Sequence, residues 1–541
     1  MNEWSLPAVL DVVTAAAPQR EMLVWTSVRR TYAEVGDRTR RLAGFLAEHG
    51  LGVRRERAAL ERWECGQSPV ALLLSNRPEY VEAMLGAYRA RAVPFNVNHH
   101  YTPREVAALL DYVGAEAVVY QRGLGGLLAE DTRLEGRILI DVDDGSGVPP
   151  LPNSTPFESA IGHAAADALP APSPDDLYLV CTGGTTGAPK GVLWRQADIF
   201  VSAMGGIEGA TAEVLTQIAE TGGGVWFAPP PLMHAAAQWT VFAALHCGAT
   251  VVLHDDAKPF DTRTILETAE RERVNLMSIV GDAYARPLVD ELRARPYDLS
   301  ALHTIGTGGA FTNPSLKEAL VELLPHVTVV DGYGASETGG MAYGASRKGE
   351  PTRHHAPAAG AAVLAADRSR FLEQGEDEIG WVARSGRIPL GYLNDRSLTE
   401  RTFPVVGGTR VSVPGDRARL SSDGSIVLLG RDSMVVNTGG EKVFVEEVEE
   451  VLRQHPDILD AVVVGRASER FGQEVVALVQ PRPGAALAAE DVREFAALSI
   501  ARFKAPRAVL FCEQIGRHPS GKPDYAWARR VAADAGPAAS N

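Results

Sequence analysis

The stretch TGGTTGAPKG, residues 182–191, concentrates glycine, threonine and one lysine in a single short segment. Glycines let a backbone turn its N–H groups toward a ligand, and a concave array of N–H groups binds anions. Hydroxyl groups and an ammonium would add donors and positive charge, so the segment is suited to a chain of phosphates. The candidate phosphate-binding residues are Thr182, Gly183, Gly184, Thr185, Thr186, Gly187 and Lys190.

Two other interpretations of this segment compete with the first. The common P-loop needs a lysine directly after its last glycine, whereas Ala188 and Pro189 intervene here. A flexible glycine linker is the second alternative. The segment directly follows a predicted buried strand at 177–181, and this position argues against a linker.

The elements that must position this loop alternate along most of the chain. Apolar runs at 70–74, 250–253 and 276–280 predict buried strands, and stretches with helical spacing at 261–273 and 314–324 lie between such runs. This alternation predicts an α/β protein with layered, largely parallel sheets.

The last hundred residues have a different pattern. Residues 443–452 predict an amphipathic helix whose acidic side chains form a solvated face, and 461–465 and 475–479 predict strands. We therefore predict a large N-terminal domain of α/β subdomains over residues 1–431, and a small, mobile α+β C-terminal domain over residues 432–541.

The composition limits the classes of function. The chain has 541 residues, too many for one core. Its net charge of −15 argues against a general attraction to nucleic acid or to an anionic membrane. Its four cysteines form no CxxC pair, and no signal peptide or membrane-spanning run is visible. These features predict a cytoplasmic protein, and they leave peripheral membrane contact and homodimer formation open.

Several further motifs extend the pattern of the loop. Taken together, they resemble the acyl-adenylate-forming superfamily, which contains acyl-CoA synthetases, adenylation domains and beetle luciferases, and they cover nearly the whole chain. The motifs are YLVCTGGTTGAPKGV at 178–192, PPLMHAAAQ at 230–238, GTGGA at 306–310, DGYGASET at 331–338, PGD at 414–416, GRDSMVVNTGGEKVFVEEVEEVL at 430–452 and PSGKPDY at 519–525.

Four stretches refine the resemblance: LWRQADIF at 193–200, GDAYARPLVDEL at 281–292, FGQEVVALVQPRPG at 471–484 and SGKPDY at 520–525. Within this superfamily, they look most like actinobacterial acyl-CoA synthetases, a branch that includes ligases for fatty acids and for sterol side-chain carboxylates. The resemblance implies two steps that use ATP, Mg²⁺ and coenzyme A. A carboxylate first attacks the α-phosphate of ATP, giving acyl-AMP and pyrophosphate, and the thiol of CoA then displaces AMP. Positioning and electrostatic stabilisation are the main tasks that such chemistry sets for a protein.

The resemblance assigns the reacting groups to specific side chains. Lys522 bridges the substrate carboxylate and the α-phosphate, and Thr338 donates to the phosphate. Glu337 and Thr185 hold Mg²⁺, a hard cation that prefers oxygen ligands. His234 lines the acyl site, although a purely structural histidine is an equal alternative.

The resemblance also assigns the residues that bind the nucleotide. Tyr333 stacks on adenine, Asp416 accepts hydrogen bonds from the ribose hydroxyls, and Arg431 reaches ribose or phosphate. The other implied nucleotide-binding residues are Gly308, Gly309, Ala310, Asp331, Gly332, Gly439 and Gly440. Small residues at 235–237, with Gln238 and Gly309, are expected to leave room for a bulky acyl chain.

The chain departs from the superfamily pattern at two places. Relatives usually carry a lysine and then an acidic hinge residue after the Gly-Arg pair, and these two positions hold Ser433 and Met434 here, which makes Met434 the expected pivot. Residues 56–69 are an insertion in a connection that is usually short. The histidine pairs at 99–100 and 354–355 lack further ligands at metal spacing and are predicted to lie in surface loops.

Two other functions stay open at this point. An acyl-AMP ligase could load a carrier protein instead of CoA, but the sequence contains no visible carrier domain. A nucleotide-binding regulator without catalysis would not need Lys522, Glu337 and Asp416, whose presence argues against this alternative.

Overall fold

Two largely parallel sheets, with helices between their strands, form most of the N-terminal part of the chain. In the computed structural model of the protein, the described residues are 2–129, 134–162, 169–183, 189–258, 260–310, 312–350, 356–431, 434–438, 441–468, 472–518 and 521–536. The elements before residue 162 are α1 (Leu6–Ala16), β1 (Glu21–Trp25), β2 (Val28–Thr31), α2 (Tyr32–Glu48), β3 (Pro69–Leu73), α3 (Pro78–Arg89), β4 (Val93–Asn96), α4 (Pro103–Val113), β5 (Ala117–Gln121), α5 (Gly126–Ala129), β6 (Ile138–Val142), β7 (Ser154–Pro156) and α6 (Phe157–Ile161).

The next elements complete the large parallel sheet and add a hairpin. They are β8 (Leu177–Gly183), β9 (Pro189–Arg195), α7 (Gln196–Ala203), α8 (Ala212–Thr221), β10 (Val225–Ala228), α9 (Ala235–His246), β11 (Thr250–Leu253), α10 (Thr262–Arg271), β12 (Leu276–Ile279), α11 (Gly281–Ala294), β13 (Thr304–Gly308), α12 (Pro314–Leu323), β14 (Thr328–Ala335) and β15 (Gly339–Ser346).

The remaining elements are mainly antiparallel. Up to residue 431 they are β16 (Ala356–Pro357), β17 (Ala361–Leu364), β18 (Gly380–Ser385), β19 (Gly391–Tyr392), α13 (Arg396–Thr402), β20 (Val405–Val406), β21 (Thr409–Ser412), β22 (Asp416–Leu420) and β23 (Ile426–Arg431). After residue 434 they are β24 (Val435–Thr438), β25 (Glu441–Phe444), α14 (Val445–Arg453), β26 (Ile458–Ser468), β27 (Gly472–Pro481), α15 (Ala489–Ser499), β28 (Ala508–Phe511) and α16 (Tyr525–Asp534).

The largest sheet has the strand order β16-β15-β14-β13-β12-β10-β11-β1-β2, and it is parallel from β14 through β1. A second sheet, β4-β3-β5-β6-β7, is parallel throughout. Apolar side chains cover the faces that the helices contact, because strands of this kind are buried on both sides. The predicted α/β class with layered parallel sheets is confirmed.

Local sequence explains where individual helices begin and end, as α4 illustrates. The Thr102 hydroxyl accepts the Glu105 N–H, and the Glu105 carboxylate accepts the Thr102 N–H in return. The helix ends at Gly114, whose φ of 74° is left-handed and therefore favours glycine.

The smaller C-terminal part is an α+β unit, as predicted. Its strands pair in the order β25-β24-β27-β26, and β28 lies parallel to β27. One expectation for α14 was wrong, because Glu449 does not lie on a solvated face. It is buried and forms an ion pair of 3.0 Å with Arg453, which compensates for the loss of hydration. The boundary between residues 431 and 432 stays a prediction, and residues 432–433 lie outside the described residues.

Candidate active site

The candidate phosphate loop is carried by a β-hairpin. Antiparallel pairing of β8 and β9 places Thr182 opposite Lys190 and Gly183 opposite Pro189. The ends of the loop are thereby brought together next to the parallel strands. The positions in between that we assigned to phosphate, Gly184, Thr185, Thr186 and Gly187, lie outside the described residues.

Asn96, which the sequence analysis missed, joins this hairpin to the next site segment. Its Nδ2 donates to the carbonyls of Cys181, at 2.8 Å, and of Met233, at 2.6 Å. Its Oδ1 accepts the Cys181 N–H at 2.8 Å. Because Met233 directly precedes His234, a single buried amide sets the spacing between the phosphate loop and that histidine.

Glu337 is held by a tyrosine that also faces the phosphate loop. The Tyr392 hydroxyl donates to Glu337 Oε1 at 2.7 Å, and the Lys190 Nζ lies 6.0 Å from the centre of the Tyr392 ring. The second carboxylate oxygen of Glu337 makes no hydrogen bond to another described residue. Carboxylate oxygens are the donors that Mg²⁺ prefers, so Glu337 fits a site for this ion.

The turn around Thr338 is closed by its own side chain. The Thr338 hydroxyl accepts the Ala335 N–H at 3.0 Å, lies 3.0 Å from the Gly339 carbonyl and is fully buried. Arg384 donates to the carbonyls of Thr338 and Gly340 from the other side. The hydroxyl that we assigned to a phosphate therefore serves the turn here, and its catalytic role stays a prediction.

Tyr333 and Asp416, assigned to adenine and ribose, are brought together by tertiary structure. The Tyr333 hydroxyl donates to Asp416 Oδ2, and Asp416 is buried. Pairing of β22 with β23 places the backbone of Arg431 opposite Asp416. The side chain of Arg431, and all of Gly439 and Gly440, lie outside the described residues.

The other residues that we assigned to nucleotide binding lie on or next to β13 and β14 of the large sheet. Gly308 lies opposite Gly332 in the register of β13 and β14, and Asp331 Oδ2 accepts a hydrogen bond of 2.7 Å from the buried Lys317. Gly309 is left-handed, with a φ of 75°, and it precedes Ala310. Lys317, on α12, was missed because a lysine in a helix usually has a solvated side chain.

His234 precedes α9 and is largely buried. Its Nε2 has no hydrogen-bond partner among the described residues. Burial, and to a smaller extent the charges of Lys522, His99 and His100, lower the pKa of His234 to about 4. The imidazole is therefore neutral at pH 7. His99 and His100 lie in a turn, as expected; His100 is exposed, and His99 is half-buried with its Nδ1 inside. His354 and His355 lie outside the described residues.

The hairpin that carries Lys522 contacts the N-terminal part of the chain. A methyl group added at Gly521 would lie 2.7 Å from the Ala283 Cβ, at the start of α11, and 3.9 Å from the Val280 carbonyl. The side chain of Lys522 is exposed, and its charge acts on His234. Lys522 and His234, which are far apart in the sequence, thus lie close enough for the lysine charge to influence the imidazole.

Comparisons with known proteins agree with this arrangement. Residues 10–380 match the AMP-binding enzyme family, and residues 447–522 match the AMP-binding enzyme C-terminal domain. The chain belongs to the AMP-binding enzyme family. This family membership also accounts for the order of the motifs along the chain, which runs from the phosphate loop to the C-terminal lysine.

Relatives in the AMP-binding enzyme family align over nearly the full length. The medium-chain acyl-CoA ligase Mig of Mycobacterium avium is 44% identical over 98% of both chains. The 3-oxocholest-4-en-26-oate–CoA ligase of Rhodococcus rhodochrous is 36% identical over 96% of this chain and 95% of its own. The crystal structure of ATP-bound MatB from Rhodopseudomonas palustris has a TM-score of 0.81 at 20% identity, covering 97% of this chain and 99% of MatB. This last likeness concerns the fold alone.

Two further features of this AMP-binding enzyme concern the acyl region and the membrane. Gln238, which we expected to line the acyl space, is buried and bonded to the Tyr178 hydroxyl at 2.7 Å and the Leu232 carbonyl at 2.8 Å. It therefore fixes the start of α9.

Of the helices in the described ranges, none combines the length and the apolarity needed to cross a bilayer.

Proposed function

We propose that the protein is an AMP-forming acyl-CoA synthetase that uses ATP and coenzyme A. The observation that carries the proposal is the position of Lys522, whose charge reaches His234 while its hairpin contacts Val280 and Ala283. A cation at this place can neutralise charge that develops between a carboxylate and the α-phosphate. The names of the curated relatives support CoA as the acceptor.

In the first step, a carboxylate oxygen of the substrate forms a bond to the α-phosphorus of ATP, and the bond to pyrophosphate breaks. Lys522 would stabilise the carboxylate and the α-phosphate, while Lys190 and the loop N–H groups would bind the leaving phosphates. Neutral His234 would line the carboxylate site without adding charge. Glu337 and Thr185 would hold Mg²⁺, which supplies positive charge to phosphate oxygens when bound.

In the second step, the CoA sulfur forms a bond to the acyl carbon, and the bond from that carbon to AMP breaks. The thiol proton leaves to solvent, so the products are the thioester and AMP. Tyr333 and Asp416 would retain the AMP moiety through both steps, since stacking and ribose hydrogen bonds do not depend on the acyl group.

The substrate that we propose is a medium- or long-chain fatty acid or a sterol side-chain carboxylate. Gly306 lies opposite Ser278 in the register of β12 and β13, and a methyl group at Gly306 would meet no described atom within 4 Å. Among the described atoms, a methyl group at Gly309 would come within 4 Å of just the Ala236 Cβ and the Val280 Cγ1, each at 3.9 Å. Small residues around open space favour a long or bulky apolar group.

A panel of carboxylic acids tests the proposal. Pyrophosphate release and AMP formation would be measured for acids from short-chain to long-chain and for a sterol side-chain carboxylate, with and without CoA. We expect CoA-dependent AMP formation with the larger apolar acids. Acyl-AMP that accumulates and is not consumed by CoA would favour a carrier-loading ligase, and no release with any acid would favour a regulator.

A further inference from the structure

The guanidinium of Arg517 holds the backbone next to Lys522. Its Nη1 donates to the Gly521 carbonyl at 2.7 Å, and its Nε and Nη2 donate to the Asp460 carboxylate at 2.8 Å each. The hairpin is also closed by hydrogen bonds from the His518 N–H to the Lys522 carbonyl and from the Gly521 N–H to the His518 carbonyl. The planar fork of one arginine thus connects the lysine hairpin to strand β26.

Asp460 is itself fixed by the interior of the C-terminal part. Its Oδ1 accepts the Ala461 N–H at 2.9 Å and lies 3.4 Å from Arg453 Nε. Arg453 is buried and pairs with the buried Glu449 at 3.0 Å. Burial of both groups makes this pair costly to rearrange, so Asp460 is a rigid anchor for Arg517.

Glu449 continues the network to the other side of the hairpin. Its carboxylate accepts the Val463 N–H at 2.8 Å and the Tyr525 hydroxyl at 3.1 Å. Tyr525 begins α16 only three residues after Lys522. The chain is therefore held both before and after the lysine, through Arg517 on one side and Tyr525 on the other.

We propose that Arg517, held by Asp460, is a positioning residue that orients Lys522 for acyl-AMP formation, an inference that rests on the proposed function. Lys522 is exposed, and the place of its backbone is set by the hydrogen bonds that Arg517 and His518 make on the hairpin. Restricting that backbone keeps the ammonium near the reacting atoms, and small displacements of a positioned group reduce rates strongly.

The network also faces the N-terminal part of the chain. Arg286 on α11 is close enough to Asp282 and Asp460 for both carboxylates to act on its pKa, which burial lowers. Asp460 therefore binds Arg517 of the lysine hairpin and also lies near Arg286. Arg286 belongs to α11, the helix that the hairpin contacts. Loss of Asp460 would affect both the orientation of the hairpin and its contact with α11.

The experiment compares Arg517→Gln, Arg517→Lys and Asp460→Asn with the wild type. Acyl-AMP formation is measured by pyrophosphate release, and thioester formation is measured separately from supplied acyl-AMP and CoA. For Arg517→Gln we expect kcat for acyl-AMP formation to fall about 10- to 100-fold. The KM for ATP and the rate of thioester formation should stay within about twofold, because Lys522 acts in the first step only.

A matched control is Arg493→Gln, which removes an exposed arginine of the same part of the chain that pairs with Glu490. We expect this control variant to form acyl-AMP at the wild-type rate. For Arg517→Lys we expect an intermediate loss of that rate, because an ammonium cannot bind both Asp460 and the Gly521 carbonyl with the geometry of a guanidinium. Equal losses in both half-reactions, together with a lowered melting temperature, would show a merely structural role and overturn the inference.

The outcomes separate this inference from the proposed function. If the wild type forms no acyl-AMP, the proposed function fails. If Lys522→Ala leaves acyl-AMP formation intact, the assignment of the lysine fails. If Lys522→Ala is impaired while Arg517→Gln and Asp460→Asn form acyl-AMP at the wild-type rate, only the positioning role of Arg517 is wrong.

Discussion

Tyr392 and Glu337 form a hydrogen bond of 2.7 Å between two segments that are 55 residues apart in the chain. The phenol restricts the carboxylate that we assign to Mg²⁺, and the same ring lies near the Lys190 ammonium. One aromatic side chain thus relates the phosphate loop to the metal carboxylate, although neither sequence motif contains it.

Replacement of Tyr392 by phenylalanine should raise the Mg²⁺ requirement. A hydrogen bond to a charged group contributes about 1.5–3 kcal/mol, and here part of it orients Glu337. We expect the Mg²⁺ concentration for half-maximal acyl-AMP formation to rise about three- to tenfold, measured by Mg²⁺ titration at saturating ATP. Tyr297→Phe is the control, since Tyr297 donates to Glu291 over the same 2.7 Å away from the site. An unchanged requirement would exclude the orienting role.

Replacement of Lys522 by alanine should impair the first half-reaction selectively. Loss of one such electrostatic group lowers rates by about a hundredfold or more. Stopped-flow detection of pyrophosphate release measures this step, and conversion of supplied acyl-AMP measures the second step. Lys504→Ala removes another lysine from the C-terminal part, one that pairs with Glu447, and serves as the control. Adenylation near the wild-type rate would refute the role of Lys522.

Replacement of Gly306 by leucine should narrow the range of acyl substrates. The added side chain would enter the open space beside Ser278, which long acyl groups are expected to use. We expect kcat/KM for dodecanoate to fall about tenfold or more, with hexanoate changed less than about threefold. Retention of hexanoate activity also shows that the variant is folded. Equal effects on both acids would place the long-chain path elsewhere.

His246 should make the protein less stable as the pH falls. Burial lowers the pKa of His246 to about 4, although its Nδ1 lies 3.0 Å from the Met204 carbonyl. The unfolded chain, with an ordinary histidine pKa near 6.5, binds a proton that the folded state does not bind between about pH 6.5 and 4. The contribution of His246 to stability is therefore complete above about pH 6.5 and is lost progressively toward pH 4.

The measurement is the melting temperature of the wild type and of His246→Phe between pH 7.5 and 4.5, a range chosen from these pKa values. Phenylalanine fits among Phe200 and Phe242, whose rings lie 4.9 and 5.8 Å from His246. Ion-paired carboxylates weaken in acid in both proteins, so only the difference between the two slopes reports on His246. A wild-type slope no steeper than that of the variant would contradict the prediction.

Much of the architecture follows from local patterns. Short apolar runs alternating with helical spacing predict the parallel sheets, because strands buried on both faces must be apolar throughout. The strands predicted at 461–465 and 475–479 lie within β26 and β27. Local patterns do not predict the burial of Glu449. Its position among other acidic residues predicts solvation, but Arg453, Val463 and Tyr525 make its burial possible.

The sequence by itself determined the α/β class and the family, since the spacing of the motifs and the apolar pattern are both local properties of the chain. Only the tertiary structure decided which side chains support the site. Asn96, Tyr392 and Arg517 act through partners that lie 55 to 137 residues away in the chain, which are Glu337, Asp460, Cys181 and Met233. Hydrogen bonds of this kind depend on sheet register and on how the two parts of the chain pack against each other. A short stretch of sequence determines neither, because both depend on residues that are far apart in the chain.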